Sequence, residues 1–506
     1  MGFHCGRSTN TFPTREDVSM TTRRKIIQFG TAAAMFGTGF TKRLDAVASM
    51  QAAPLNTPSV ESLLNAQGMG PSHKMLLPQP TGPNTPPAPA TYDRLPLSWY
   101  KAKTQSFKAM LDMRGIQAFL LRNPLNVSYL IGYFHRETER PQATFMNKDD
   151  ENPWYFYPGL DRDIVKSWWW GDGLAYFDFP DVRGVYPYEG RVATGATNDT
   201  FSYMLEGIKK HGLQSKKLAI DGELYPSELA KVNKVFPGVE VVNVGPDLLT
   251  MREIKSPEEL ALWRRAYVYY DRGHAFARDY ILTHGTDIYD QEVAVATSMW
   301  TSFLLYKDLD LHGGDSNYGV GAEMRYDCRC GPVTSVPHPN QPFFHKIEKN
   351  QPIQVDGICR VGGYGGEGYR MFITADAMGK FDPHMIKLWE VSRNCCDIQV
   401  EESRAGVTCQ SVAEKILKYQ VAQGCAQYIY HRPGHGLGTE GHQPPYIALG
   451  DTTVLKKGMC FSEEPGLYDL ANKVGFNWSD TIVVGEKKGY RMSMVPYSKE
   501  YSLLSL

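Results

Sequence analysis

Between residues 99 and 243 the chain alternates apolar runs of strand length with amphipathic stretches of helix length. That alternation is the mark of an α/β layer. Residues 99–114 read as an amphipathic helix, 115–121 as a buried strand and 127–133 as the next element. Residues 217–221, 225–236 and 239–243 then read as strand, helix and strand. A long helix opens at Ser256-Pro257-Glu258-Glu259 and runs to about residue 284. Ser256 is placed to cap it, Pro257 suits its first position, and Glu259 completes a capping box. Further on, helices near 289–304, 382–402 and 412–423 alternate with strand-like runs at 352–355, 368–374, 458–462 and 480–484. Helices on one side of an antiparallel sheet explain that order. The expectation is an α/β N-terminal domain over 93–250, followed by an α+β C-terminal domain over 251–506.

The ends of this region differ in kind. Thr21-Thr22-Arg23-Arg24-Lys25 begins a twin-arginine pattern, followed by a Gly/Ala-rich apolar run over 26–40 and the small residues Ala46-Val47-Ala48. The run has the length of a signal h-region and falls short of a membrane span. Residues 1–48 are therefore expected to be a twin-arginine signal region, with export to the periplasm. Residues 49–92 are rich in Pro, Gly, Ser, Thr and Asn and read as a linker or extended arm. The signal region holds seven Lys/Arg against three Asp/Glu, so a formal net charge of −1 becomes −5 in the remainder. No basic excess asks for nucleic acid. Eight of the nine cysteines lie between Cys328 and Cys460. Their spacings match no metal knuckle, and buried free thiols are the favoured reading, with one disulfide left open. The aromatic tract Trp168-Trp169-Trp170 reads as core, subunit contact or pocket wall.

Candidate chemistry sits in the C-terminal half. Asp356 and Glu367 flank a glycine-rich stretch, 357–366, that suits a hairpin turn. Residues opposite one another in a hairpin share a face. Two carboxylates there repel unless a cation lies between them, and hard divalent ions take such ligands. Taken alone, such a pair is more often a solvated face. His431, His435 and His442 fall within a Gly/Pro-rich run, 431–445. They offer nitrogen ligands or proton carriers on a backbone free to approach a ligand closely. Glu464 stands at a strand end before Pro465-Gly466. By alternation Asn477 and Ser479 share one strand face, and Trp478 and Asp480 the other.

In order and spacing these segments resemble the signature of the creatinase/prolidase/methionine-aminopeptidase superfamily, whose C-terminal domain has the pita-bread fold. The resemblance extends to a creatinase-type N-terminal domain from about residue 94 to 260. Metal-binding members hold two ions with two aspartates across a hairpin, one histidine and two glutamates on later strands. The resemblance implies Asp356, Glu367, His435 and Glu464 as ligands of a divalent transition ion (Mn, Fe, Zn or Co). It implies His338, His442 and Glu464 as catalytic groups, and His338, Arg370 and His431 as substrate contacts. Three positions depart from the pattern. The second aspartate is Glu367, the last glutamate is Ser479, and His442 is followed by Gln443. Loss of the bridging carboxylate implies one ion per subunit, which polarises water or substrate but does not clamp both reacting oxygens. The lyase branch of the superfamily carries an extra aspartate near the first, and neither Gln354 nor Ile358 supplies it.

The resulting expectation is an exported, metal-dependent hydrolase resembling Xaa-Pro peptidases. Its substrate would be a short peptide or small amide-like molecule, and its state a homodimer. A lyase or non-peptide C–N hydrolase on the same scaffold, and a non-catalytic binding protein, are the alternatives.

Overall fold

The computed structural model describes residues 75–77, 84–166, 170–176, 199–309, 321–338 and 344–506. The twin-arginine segment, much of the Pro-rich stretch, and Trp168 and Trp169 lie outside the described residues. Trp170 is buried, and its indole donates to the Ile131 carbonyl at 3.0 Å.

The first helix, α1 (Leu97–Asp112), leads into the wholly buried strand β1 (Ala118–Leu121). The stretch expected as the next element is a helix, α2 (Pro124–Ile131). The Asn123 side chain caps its start, and Gly132 ends it at φ 77°, a conformation that favours glycine. Strands β2 (Ala143–Asn147), β3 (Trp154–Pro158), β4 (Asp172–Tyr176), β5 (Lys217–Ile220) and β6 (Glu240–Asn243) complete a sheet of order β4-β3-β2-β1-β5-β6. The sheet is mixed, because β1 pairs antiparallel with β2 but parallel with β5. Helices α3 (Thr200–His211) and α4 (Pro226–Val235) cover it through a core that includes Phe145, Phe156, Leu205, Leu218 and Val232.

The long helix α5 (Pro257–His284) begins as its sequence dictates. The Ser256 amide donates to Glu259 at 2.6 Å, and the Glu259 amide donates to the Ser256 hydroxyl at 3.3 Å. The end of the Pro-rich stretch lies against this helix, while Leu77 and Asn84 bond to Met494 and Glu486. The Ala90 amide donates to the Ala261 carbonyl at 2.9 Å, and Asp93 pairs with Arg265 at 2.7 Å.

Helices α5 and α6 (Asp290–Asp308) pack on β7 (Glu323–Cys330), β8 (Pro352–Val361) and β9 (Tyr364–Thr374). Helices α7 (Pro383–Glu402) and α8 (Cys409–Ala422) follow, and a second sheet comes after them. It contains β10 (Gly434–Gly436), β11 (Gln443–Ile447) and β12 (Cys460–Ser462). After a hairpin of β13 (Leu467–Asp469) and β14 (Val474–Phe476), β15 (Thr481–Val483) and β16 (Tyr490–Arg491) complete it. Its order is β11-β10-β12-β15-β16, while β17 (Leu503–Leu504) joins the first sheet as β17-β9-β8-β7. This helix-flanked pair of sheets is the α+β pita-bread arrangement.

The β8–β9 hairpin is tighter than its glycine content suggests. The strands continue through the glycine-rich stretch and turn only at Gly362-Gly363, with φ of 60° and 78°. Asp356 is consequently paired with Tyr369, and Glu367 with Ile358. The two carboxylates are diagonal neighbours on one face, not directly opposed as expected. All eight described cysteines are buried and unpaired. No helix among the described residues is long and apolar enough to cross a membrane.

Candidate metal centre

Strand alternation puts Glu367 and Tyr369 on one face of β9 and Arg370 on the other. The two sheets meet at this point. The Tyr369 amide donates to the Ser479 carbonyl at 3.1 Å, and the Ser479 amide donates to the Tyr369 carbonyl at 3.3 Å. Gly368 permits the approach, since a Cβ there would lie 2.9 Å from the Ser479 carbonyl oxygen. On the other side, Gly434 lets β10 lie close to β12, and the His435 amide donates to the Ser462 hydroxyl at 3.0 Å. The Glu464 amide donates to the Pro433 carbonyl at 2.7 Å, which draws Glu464 beside His435.

The His435 ring is oriented by its own neighbour. Nδ1 lies 3.1 Å from the Gly436 carbonyl. A carbonyl only accepts, so Nδ1 carries the hydrogen of that bond and Nε2 faces the carboxylates. Nε2 stands 3.3 Å from Glu464 Oε1 and 3.6 Å from Glu367 Oε1. His442 Nε2 stands 3.5 Å from the same Glu367 oxygen. These separations are long for hydrogen bonds. Glu367 Oε1, His435 Nε2, Glu464 Oε1, Asp356 Oδ1 and Ser479 Oγ are all buried without a hydrogen-bond partner.

Orphaned buried polar atoms are rare and call for a cause. Ligand atoms about 2.0–2.2 Å from a tetrahedral ion lie roughly 3.3–3.6 Å apart. The donor types, and the separations of both carboxylates from His435 Nε2, therefore fit ligands of a divalent transition ion. Among the described residues Glu367, His435 and His442 have ligating atoms that all lie within 4.8 Å of one another, and Glu464 joins this group through His435. His442 stacks on His435, ring centroids 3.7 Å apart, while more than half of its side chain remains exposed. It covers the cluster from the solvent side.

Burial and the carboxylates of Glu367 and Asp327 push Asp356 well above the usual carboxylate range. Burial acts in the same direction on Glu367, but His435 and His442 outweigh it and hold that carboxyl low. Burial opposes a charged His435, yet Glu464 and Glu367 raise its pKa to about 10. An ion entering the site competes with a proton for His435 Nε2.

Among the described residues, none of the three expected substrate contacts forms a hydrogen bond or ion pair with this cluster. Arg370 is fully buried on the far face of β9. Its Nη1 donates to the carbonyls of Tyr369 and Ser479 at 3.0 and 2.8 Å. Its Nη2 donates to Asp480, the Ser493 hydroxyl and the Val495 carbonyl at 3.0, 3.0 and 3.3 Å. Arg370 thus braces the site from behind and has no path to substrate. Both nitrogens of His431 are engaged, Nδ1 2.8 Å from the Arg432 carbonyl and Nε2 2.9 Å from the Tyr468 hydroxyl. His338 is exposed, and no described hydrogen bond or ion pair ties it to the cluster. Conversely, Tyr369 shares the site face, and the only sequence signal for it is its place two residues after Glu367.

Residues 103–254 match the Creatinase/Prolidase N-terminal domain, and residues 275–486 match Metallopeptidase family M24. The chain belongs to the creatinase/prolidase superfamily. Within this superfamily it is 26% identical over 377 residues to an Xaa-Pro dipeptidase of Lactobacillus helveticus, covering 73% of this chain and 90% of that one. It is 28% identical over 398 residues to an Xaa-Pro dipeptidase of Pyrococcus furiosus, covering 78% and 98%. In structure it resembles a prolidase from Thermococcus sibiricus, with a TM-score of 0.62 at 21% identity over 80% of this chain and 99% of that one. It also resembles E. coli aminopeptidase P solved with the inhibitor Pro-Leu, with a TM-score of 0.57 at 16% identity, covering 80% and 97%. The superfamily's creatinase-type N-terminal domain and pita-bread C-terminal domain are the two folds described above.

Proposed function

We propose that this superfamily member is a peptidase-type hydrolase of short Xaa-Pro peptides. It works in the periplasm after twin-arginine export, with one divalent ion held by Glu367, His435 and Glu464 and with Asp356, across the hairpin, completing the ligand set. The observation that carries the reading is the set of buried, hydrogen-bond-free ligand atoms 3.3 and 3.6 Å apart around His435 Nε2. When bound, the ion supplies Lewis-acid polarisation and activation of water. Glu464, buried beside His435, accepts the proton of the attacking water. His442, at the exposed edge, hydrogen-bonds the oxygen of the scissile carbonyl as charge develops on it. His435 is kept in one orientation by Gly436, so the site needs little rearrangement on binding.

Ser479 favours a second reading, a non-peptide C–N hydrolase or lyase, because it sets a neutral group where peptidase relatives of this fold are expected to place a carboxylate. One experiment separates these readings. Protein recovered from the periplasmic fraction, stripped with chelator and reloaded with Mn, Fe, Zn or Co, is offered a series of Xaa-Pro dipeptides. Release of free proline only after reloading is the expected result. Protein found only in the cytoplasm contradicts export, and a reloaded protein inert towards every dipeptide contradicts the peptidase.

A further inference from the structure

Tyr369 is the strongest unassigned group at the centre. It lies directly across from Asp356 in the ladder and two residues from Glu367 on the same face. Burial, then the carboxylates of Glu464, Asp356 and Glu367, raise the pKa of its hydroxyl against a smaller opposing effect of Arg329. Its ring is only partly exposed, and among the described residues no group hydrogen-bonds that hydroxyl. The backbone beneath it is fixed three ways: by the paired bonds with Ser479 at 3.1 and 3.3 Å and by Arg370 Nη1 on its carbonyl at 3.0 Å. A phenol is a donor at neutral pH, and here it belongs to the strand face that carries Glu367 and Asp356, on backbone fixed at three points. Preorganised donors of this kind stabilise charge developing in a transition state.

We propose that Tyr369 is a catalytic group, donating a hydrogen bond from its phenol to the scissile carbonyl oxygen of the substrate. The bond strengthens as water adds to the carbonyl carbon and negative charge gathers on that oxygen, and Tyr369 keeps its proton throughout. The inference rests on the peptidase reading. It adds a second donor to His442.

The test is Tyr369→Phe, which keeps the ring and removes only the hydroxyl. Loss of one such donor lowers kcat by roughly 10²–10³-fold. KM, bound metal and melting temperature should stay at wild-type values, which a merely structural role would not produce. If Tyr369→Phe retains wild-type kcat while Tyr369→Leu raises KM, the ring only shapes the pocket and the proposal is overturned. If wild-type protein cleaves no Xaa-Pro dipeptide, the peptidase reading fails and takes this assignment with it. An active wild type with an equally active Phe variant sinks the assignment alone.

Discussion

Replacing His435 with alanine is expected to remove the tightly bound ion and to lower kcat/KM by at least about 10³-fold, roughly 4 kcal/mol of transition-state stabilisation. The imidazole is the only neutral ligand and stands 3.3 and 3.6 Å from Glu464 and Glu367. Without it, Glu464 and Glu367 face a cavity with no ring to fill it. His442 is a poor substitute, because its ring lies on the solvent side of the stack. The contrast with His442→Ala makes the result specific. That variant should keep its ion and lose activity, since the residue touches the substrate side. Elemental analysis beside dipeptide hydrolysis reads both. A His435→Ala protein that retains a full complement of metal would show that the ion sits elsewhere.

Arg370→Met is expected to destabilise the fold by about 3–5 kcal/mol. The guanidinium is fully buried and bonds Asp480 at 3.0 Å, and Asp480 is itself fully buried. Removing one partner strands the other charge in the interior, which costs far more than the pair contributes over a neutral replacement. The loss also reaches the site, because Arg370 holds the carbonyls of Tyr369 and Ser479, where the sheets join. Thermal melting of the single variant should show a large drop. The double variant Arg370→Met/Asp480→Asn should recover part of it, since the amide removes the stranded charge and retains an acceptor for the amides of Thr481 and Ser493. Equal melting of wild type and Arg370→Met would mean that the clamp carries no stability.

Much of the fold is legible in the order of residues alone. The capping box at Ser256 and Glu259 forms as its spacing dictates, because its two bonds are local. Ligand types are legible for a related reason: Glu367, His435 and Glu464 lie in short motifs whose glycines and prolines mark close backbone approach. Register is less legible. The glycines of 357–366 read as a turn, yet only Gly362 and Gly363 make it, because the other glycines sit in strands where neighbours leave no room for a side chain. At Gly365 a Cβ would lie 1.8 Å from the Cys359 carbonyl oxygen. That two-residue difference decides which side chain faces Asp356, and hence hides Tyr369. Arg370 misleads for another reason. Adjacency to Glu367 suggests a shared role, but adjacent strand residues face opposite ways, and its partners at Asp480, Ser493 and Val495 are more than a hundred residues away.

Ser479 is the position on which the metal count turns. Its hydroxyl is buried and unpartnered, and a neutral hydroxyl neither balances a second dication nor bridges two ions well. The most direct measurement is elemental analysis of the protein purified from its native compartment. One tightly bound divalent ion per subunit is the predicted result. Two tightly bound ions per subunit would contradict it and make the centre a two-metal peptidase site.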